Sequence, residues 1–212
     1  MKIKTAVILC GGRGTRLGNL GKKLPKALVK IHQRPIIWYI LKILIQNSFN
    51  HFILPLGYKG NYLKNYIKNF SQFRKYKIDL INTGIETNIA RRIYKIKKNI
   101  ISNNFLLLNG DAIFKFNVKK IFDNHEKKKL DVTFLGCETP LNYGIIGKKN
   151  NRIISFERDI KFNTVKSKYR KNFTGHVYSG ISVIKKNLLK DKIKYFKEFE
   201  KEFYPKIIKK NK

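Results

Sequence analysis

Acidic residues are scarce in this sequence. Thirteen Asp and Glu stand against 47 Lys and Arg in 212 residues, for a formal net charge of +34. A field of that sign and size attracts polyanions such as nucleotides, sugar phosphates, nucleic acid or an anionic membrane. Part of the excess has a blander origin, because the chain is rich in Lys, Ile and Asn together, as AT-rich coding drift produces. Cysteine is also scarce. Cys10 and Cys137 cannot make a disulfide framework and suit a reducing compartment. The four histidines, His32, His51, His125 and His176, lack metal-ligand spacing. No apolar run approaches the ~20 residues of a membrane span. The N-terminal run Ala6–Cys10 is shorter than the ~7–15 residues of a signal-peptide core. These absences point to a soluble cytoplasmic protein without a membrane partner. What is present is a hydrophobic fraction of 42% and an aromatic fraction of 13%, spread along the chain. That supports a real core and excludes a disordered class.

The length suits one domain. Ile3–Cys10 reads as a buried strand, followed by a glycine-rich loop. Ala27–Ile31 reads as a short extended piece. Pro35 opens a helix over "RPIIWYILKILIQN". Strands are expected at 51–57, 76–82, 105–111 and 130–138, and helices at 61–70, 88–98 and 118–129. Strand alternating with helix gives a mostly parallel Rossmann-like α/β sheet in three layers. Beyond residue 140 the pattern changes. A hairpin is expected around Lys149–Asn151, a polar surface insertion over 159–175, a strand at 176–184 and a basic helical tail from Leu188. We expect residues 1–138 to form the parallel α/β half, 139–190 a small mixed β part, and 191–212 the tail.

The stretch "ILCGGRGTRLGNLGKKLPKALV" (8–29) carries five glycines and five basic residues behind the first strand. In an open parallel sheet, ligands bind at the carboxyl ends of the strands. Glycines there let backbone N–H groups approach an oxyanion, and Arg13 and Arg16 add planar forks that suit phosphate oxygens. Neither common phosphate template fits. The Walker spacing fails from Gly12, and Gly12-Arg13-Gly14-Thr15-Arg16-Leu17 ends the dinucleotide fingerprint on leucine. Cys10 reads as a small buried residue behind the loop, and Trp38 as a core or helix-face aromatic.

The whole pattern is more specific than the loop. "GGRGTRL" followed by Pro25-Lys26 resembles the signature of sugar-1-phosphate nucleotidyltransferases. "RPIIWYILK", "LGYKGNYLKNYI", "NTGIETNIARRI" and "NGDAIFKFNV" look like the matching stretches of glucose-1-phosphate cytidylyltransferases. "NYGII", "ISFERD" and "YSGISVI" match the sugar-binding part more loosely, so the resemblance runs from residue 3 to about 190. It implies the nucleotide-diphospho-sugar transferase fold, with an NTP and a sugar 1-phosphate as substrates and Mg²⁺ as cofactor. CTP and glucose 1-phosphate are favoured, for surface polysaccharide synthesis including lipopolysaccharide and O-antigen.

The resemblance also implies residue roles. Leu9, Gly11 and Gly12 would border base and ribose. Gly14, Thr15 and Arg16 would hold the triphosphate, with Arg16 easing pyrophosphate departure. Lys26 would reach the α-phosphate and the sugar phosphate, and Asp111 would hold Mg²⁺. Thr83, Gly84 and Arg92 fall where the family reads the base, although its Thr-Gly-Gly-Arg is here Ile89-Ala90-Arg91-Arg92. Tyr143, Gly144, Glu157, Arg158 and Gly180 match sugar-phosphate positions, with Glu157-Arg158-Asp159 in place of Glu-Lys-Pro. The family pattern continues into a segment near Gly-x-Trp-x-x-x-Asp that supplies a second metal ligand. The sequence in hand ends on "YPKIIKKNK" without it.

Several readings remain open at this level. Within the class they are a mannose- or heptose-1-phosphate guanylyltransferase and a phosphocholine cytidylyltransferase. Outside it stands a catalytically impaired homologue that holds nucleotide without turnover. Nucleic acid is disfavoured as a partner, since no helix-turn-helix, zinc finger or RNP-like aromatic motif occurs. A homo-oligomer is compatible with the sequence.

Overall fold

The computed structural model describes residues 2–14, 18–138, 145–149, 152–157, 164–167, 170–174 and 176–210. Strand β1 (Thr5–Leu9) buries Ala6, Val7 and Ile8 completely, as expected of an unbroken apolar run covered on both faces. A five-residue helix α1 (Asn19–Lys23) follows the glycine-rich loop. Lys26–Leu28 forms a 3₁₀ turn, and β2 (Lys30–Ile31) pairs with β3 (Arg34–Pro35) as a minimal ladder. The extended piece expected over Ala27–Ile31 is therefore extended only at its end. Helix α2 (Ile36–Gln46) starts after Pro35 and buries Ile37, Ile40, Leu41 and Leu44, the i, i+3, i+4 stripe of a core-facing helix.

Next come β4 (His51–Leu56), α3 (Gly60–Asn69), β5 (Lys77–Asn82) and α4 (Ile89–Ile96). They are followed by β6 (Asn104–Asn109), α5 (Val118–Lys127) and β7 (Val132–Cys137). Asn88 and Asn117 cap α4 and α5, accepting from the backbone N–H of Arg91 at 2.9 Å and of Lys120 at 2.8 Å. Strands β8 (Ile145–Lys149) and β9 (Arg152–Glu157) form the expected hairpin. The region expected as a polar insertion contains a second antiparallel pair, β10 (Thr164–Ser167) and β11 (Arg170–Thr174). Strand β12 (Val177–Lys185) returns to the main sheet, antiparallel to β6.

The tail is not helical throughout. Lys186–Leu188 and Asp191–Tyr195 are 3₁₀ turns, and α6 begins only at Phe199 and runs to Lys210. Glu202 accepts from the backbone N–H groups of Lys197 at 2.7 Å and Glu198 at 3.0 Å, fixing that start.

The six-stranded sheet has the order β5-β4-β1-β6-β12-β7. Strands β5, β4, β1 and β6 are mutually parallel, with Val7 in register with both Ile53 and Leu107. The sheet is mostly parallel, with helices on both sides. From β1 the chain builds outward through β4 to β5, then crosses back to place β6 on the other side of β1. That reversal opens a crevice beyond the carboxyl ends of β1 and β6. Two compact units result, residues 1–133 with 180–212, and residues 134–179.

Candidate functional site

A cavity of about 640 Å³ opens at that crevice, within the first unit. Its walls come from separate stretches of sequence. Leu9–Gly14 leave β1, Asn109–Asp111 leave β6, Ile85–Ile89 link β5 to α4, and Lys26–Ala27 lie in the 3₁₀ turn. The Lys26 ammonium pairs with the Asp111 carboxylate, and both side chains keep about a third or more of their surface exposed. Arg13 pairs with Glu86 at the rim, where both are open to solvent. A lysine, an arginine and two carboxylates thus face one opening, their positive members paired in a way that an incoming anion would compete for.

Arg92 forms part of the wall but is 4% exposed. Nη1 donates to the Leu56 carbonyl at 3.1 Å and the Thr83 hydroxyl at 2.5 Å. Nη2 donates to the carbonyls of Gly11 at 2.9 Å and Ile85 at 3.1 Å. One guanidinium therefore ties together the ends of β1, β4 and β5. Burial lowers its pKa from the usual value. Among the described residues, no carboxylate pairs with it. Glycine at position 11 is a steric requirement, because a β-carbon there would fall inside the guanidinium. Gly57 is similar, since its β-carbon would lie 2.5 Å from the Gly11 carbonyl.

Cys10 is buried against the crevice. Desolvation, with a smaller contribution from the Asp111 charge, pushes its thiol up to about 12. It stays protonated at neutral pH and is unsuited to nucleophilic chemistry.

Of the residues singled out in the sequence, Leu9, Gly11, Gly12, Gly14, Lys26, Arg92 and Asp111 meet at this cavity. Thr83 is buried, its hydroxyl donating to the Leu56 carbonyl at 2.6 Å, and Gly84 follows it with φ 96° and is not among the residues lining the cavity. Gly180, with φ 78°, abuts Asn109, whose Nδ2 would be 2.5 Å from a β-carbon there. Glu157 closes β9 in the second unit. Thr15, Arg16, Tyr143, Gly144 and Arg158 lie outside the described residues. Sequence reasoning passed over Glu86 and Asn109. The second was in plain view, in the "NGD" that ends β6.

A cavity lined by glycines and basic side chains, at the switch point of a parallel sheet, stands where open α/β folds bind their ligands. The chain belongs to the Nucleotidyl transferase family, whose sequence profile matches residues 5–204. It is 33% identical over 160 residues to the protein named probable glucose-1-phosphate cytidylyltransferase of Bacillus subtilis (strain 168). That match covers 66% of this chain and 63% of the relative, just under two thirds of the relative's length. The chain is 28% identical to a D-glycero-alpha-D-manno-heptose 1-phosphate guanylyltransferase of Aneurinibacillus thermoaerophilus, over 95% of this chain and 86% of that one. Among solved structures, HddC from Yersinia pseudotuberculosis complexed with GMP-PN superposes with a TM-score of 0.68. It has 24% identity and covers 96% of this chain and 86% of that one. At that identity the likeness establishes the fold.

Proposed function

We propose that this protein transfers a nucleotidyl group from an NTP to a sugar 1-phosphate. An oxygen of the sugar phosphate attacks the α-phosphorus in line, a P–O bond forms, the bond to the β-phosphate breaks, and pyrophosphate leaves. The observation that carries the reading is the meeting of Lys26 and Asp111 with the Gly11–Gly14 segment on one cavity, from three stretches of chain.

Both substrates are anions, so they must be brought together against their own repulsion. The Gly11–Gly14 backbone offers N–H groups at close range, and Lys26 supplies a charge that can leave Asp111 for phosphate oxygens. Arg16, by resemblance, receives the leaving pyrophosphate. Asp111 fits Mg²⁺ in the manner usual for that ion, one or two carboxylates completed by phosphates and water. Among the described residues, no group of three acidic, His or Cys side chains forms an all-protein metal cage. When bound, Mg²⁺ neutralises charge on the phosphates. The roles of Tyr143, Gly144, Glu157, Arg158 and Gly180 toward the sugar phosphate rest on the resemblance alone.

CTP with glucose 1-phosphate is the first pair to test, on the strength of the 33% identity. GTP with a heptose 1-phosphate is the second, because the guanylyltransferase match runs through 95% of this chain. Supply of activated sugar for surface polysaccharide, including lipopolysaccharide, follows from either. The test is pyrophosphate release from four NTPs against glucose, mannose and heptose 1-phosphates, with Mg²⁺ and with EDTA. We expect one NTP and one sugar phosphate to dominate and EDTA to abolish release. No release from any pair by the full-length protein would sink the proposal.

A further inference from the structure

The turn between β4 and α3 holds a lysine in a conformation that lysine disfavours. Lys59 lies in the left-handed region, with φ 51° and ψ 30°. A glycine would adopt this shape without strain. What the lysine adds is its side chain. Nζ donates to the carbonyl of Lys22 at 2.5 Å and of Lys23 at 2.9 Å, the last two residues of α1. Leu24 follows the end of α1 with extended backbone and leads into Pro25-Lys26. The ammonium therefore sits on carbonyls at a helix C-terminus, where a cation is favourable.

Tyr58 holds the other flank of the same loop. Its backbone N–H donates to the Gly11 carbonyl at 3.3 Å, and the Arg13 guanidinium stands over its ring at 5.8 Å from the centroid. Its hydroxyl also reaches the Lys22 carbonyl, at 3.5 Å. Two consecutive residues thus grip the glycine-rich loop before Gly14 and after Gly18. They grip it on the segment that leads into Lys26.

We propose that Lys59, with Tyr58, is a positioning residue. The pair holds Gly11 and Arg13 on one side and Lys22 and Lys23 on the other, so that the Gly11–Gly14 segment and Lys26 are set for a triphosphate before one arrives. The proposal rests on the nucleotidyl-transfer reading. The strained backbone is retained for the side chain, and loop order for nucleotide binding is what the side chain supplies.

The test compares wild type with Lys59→Gly, Lys59→Met and Lys59→Arg in the full chain. Lys59→Gly relieves the backbone while removing the strap. It should hold or raise Tm, quicken amide exchange over residues 18–24, and raise KM for the preferred Mg·NTP on the order of five- to tenfold, the scale of one lost helix cap. Lys59→Met should show the same exchange and KM changes, and Lys59→Arg should restore most of both. Wild-type exchange and KM in Lys59→Gly would overturn the proposal. So would a lowered Tm with faster exchange in every element, since the lysine would then serve global stability. If wild type binds none of the four NTPs, the transferase reading fails separately, and exchange over 18–24 still decides whether the strap exists.

Discussion

Nη2 of Arg92 donates to the Gly11 carbonyl at 2.9 Å, and its guanidinium fills the space that a β-carbon on residue 11 would need. The two residues are 81 apart in sequence and each constrains the other. Gly11→Ala should therefore displace the guanidinium and cost about 1–3 kcal/mol, the range for overpacking a dense site. Arg92→Met should cost about 3 kcal/mol, because it removes four hydrogen bonds at once, to the Thr83 hydroxyl and to the carbonyls of Leu56, Gly11 and Ile85, even though Tyr58 and Thr83 still donate to the Gly11 and Leu56 carbonyls. Urea unfolding followed by circular dichroism measures both. Wild-type stability in Gly11→Ala would contradict the packing described.

Lys26 and Asp111 should separate activity from stability. Both side chains are substantially exposed, so breaking their pair should change stability by less than about 1 kcal/mol. Activity should fall far more, by roughly 10²–10³-fold for Lys26→Ala, the scale of a lost group that stabilises transition-state charge. Asp111→Asn should also raise the Mg²⁺ concentration needed for half-maximal rate. Steady-state pyrophosphate release against metal concentration, with a melting curve for each variant, checks both statements.

Buried histidines set an acid limit. His51 is 1% exposed, with Nδ1 3.0 Å from the Thr5 hydroxyl and Nε2 3.1 Å from Asp79. Burial pulls its pKa below 6.5 despite Asp79, and burial does the same to His125. Each is held neutral in the fold, whereas the unfolded chain takes up a proton near 6.5. Stability is then whole above that pH and falls as pH drops below it, by up to about 1.4 kcal/mol per pH unit per histidine. The fall levels off below the folded-state pKa. His125→Gln and His51→Gln should each flatten Tm between pH 7 and 5, whatever they do to Tm at pH 7.5. Unchanged slopes in both would refute the linkage.

Asn117 gives a control away from the cavity. Its side chain caps α5, so Asn117→Ala should cost about 1 kcal/mol without altering nucleotide affinity. Denaturant melts and calorimetric titration with the preferred NTP test the two halves of that statement.

Legibility in the sequence tracked the range of the interactions involved. The run at β6 could be read because Phe105, Leu106, Leu107 and Leu108 are buried together without polar alternation. Helix α2 could be read from its apolar stripe. The 3₁₀ turn at Lys26–Leu28 was missed because three residues after a proline carry no periodicity, and their shape depends on packing against α2. The β10–β11 pair was missed because its strands are polar and lysine-bearing, without the alternation of a half-buried ladder. Composition alone predicts one helix through the tail. Its first half instead lies against α4, where Asn88 donates to the Phe196 carbonyl at 2.9 Å and Arg91 to that of Lys194 at 3.3 Å.

The sequence by itself determined that this chain builds a parallel α/β sheet with a phosphate-suited loop after its first strand. Continuous apolar runs, glycines and a proline act locally and leave a local signature. Only the tertiary structure decided what surrounds that loop. Lys26 meets Asp111, Arg92 reaches back to Gly11, and Lys59 caps α1, each across a sequence distance that no periodicity records. The reason is physical. Strand order brings the ends of β1, β4, β5 and β6 together, and buried carbonyls there must find donors wherever the chain can deliver one.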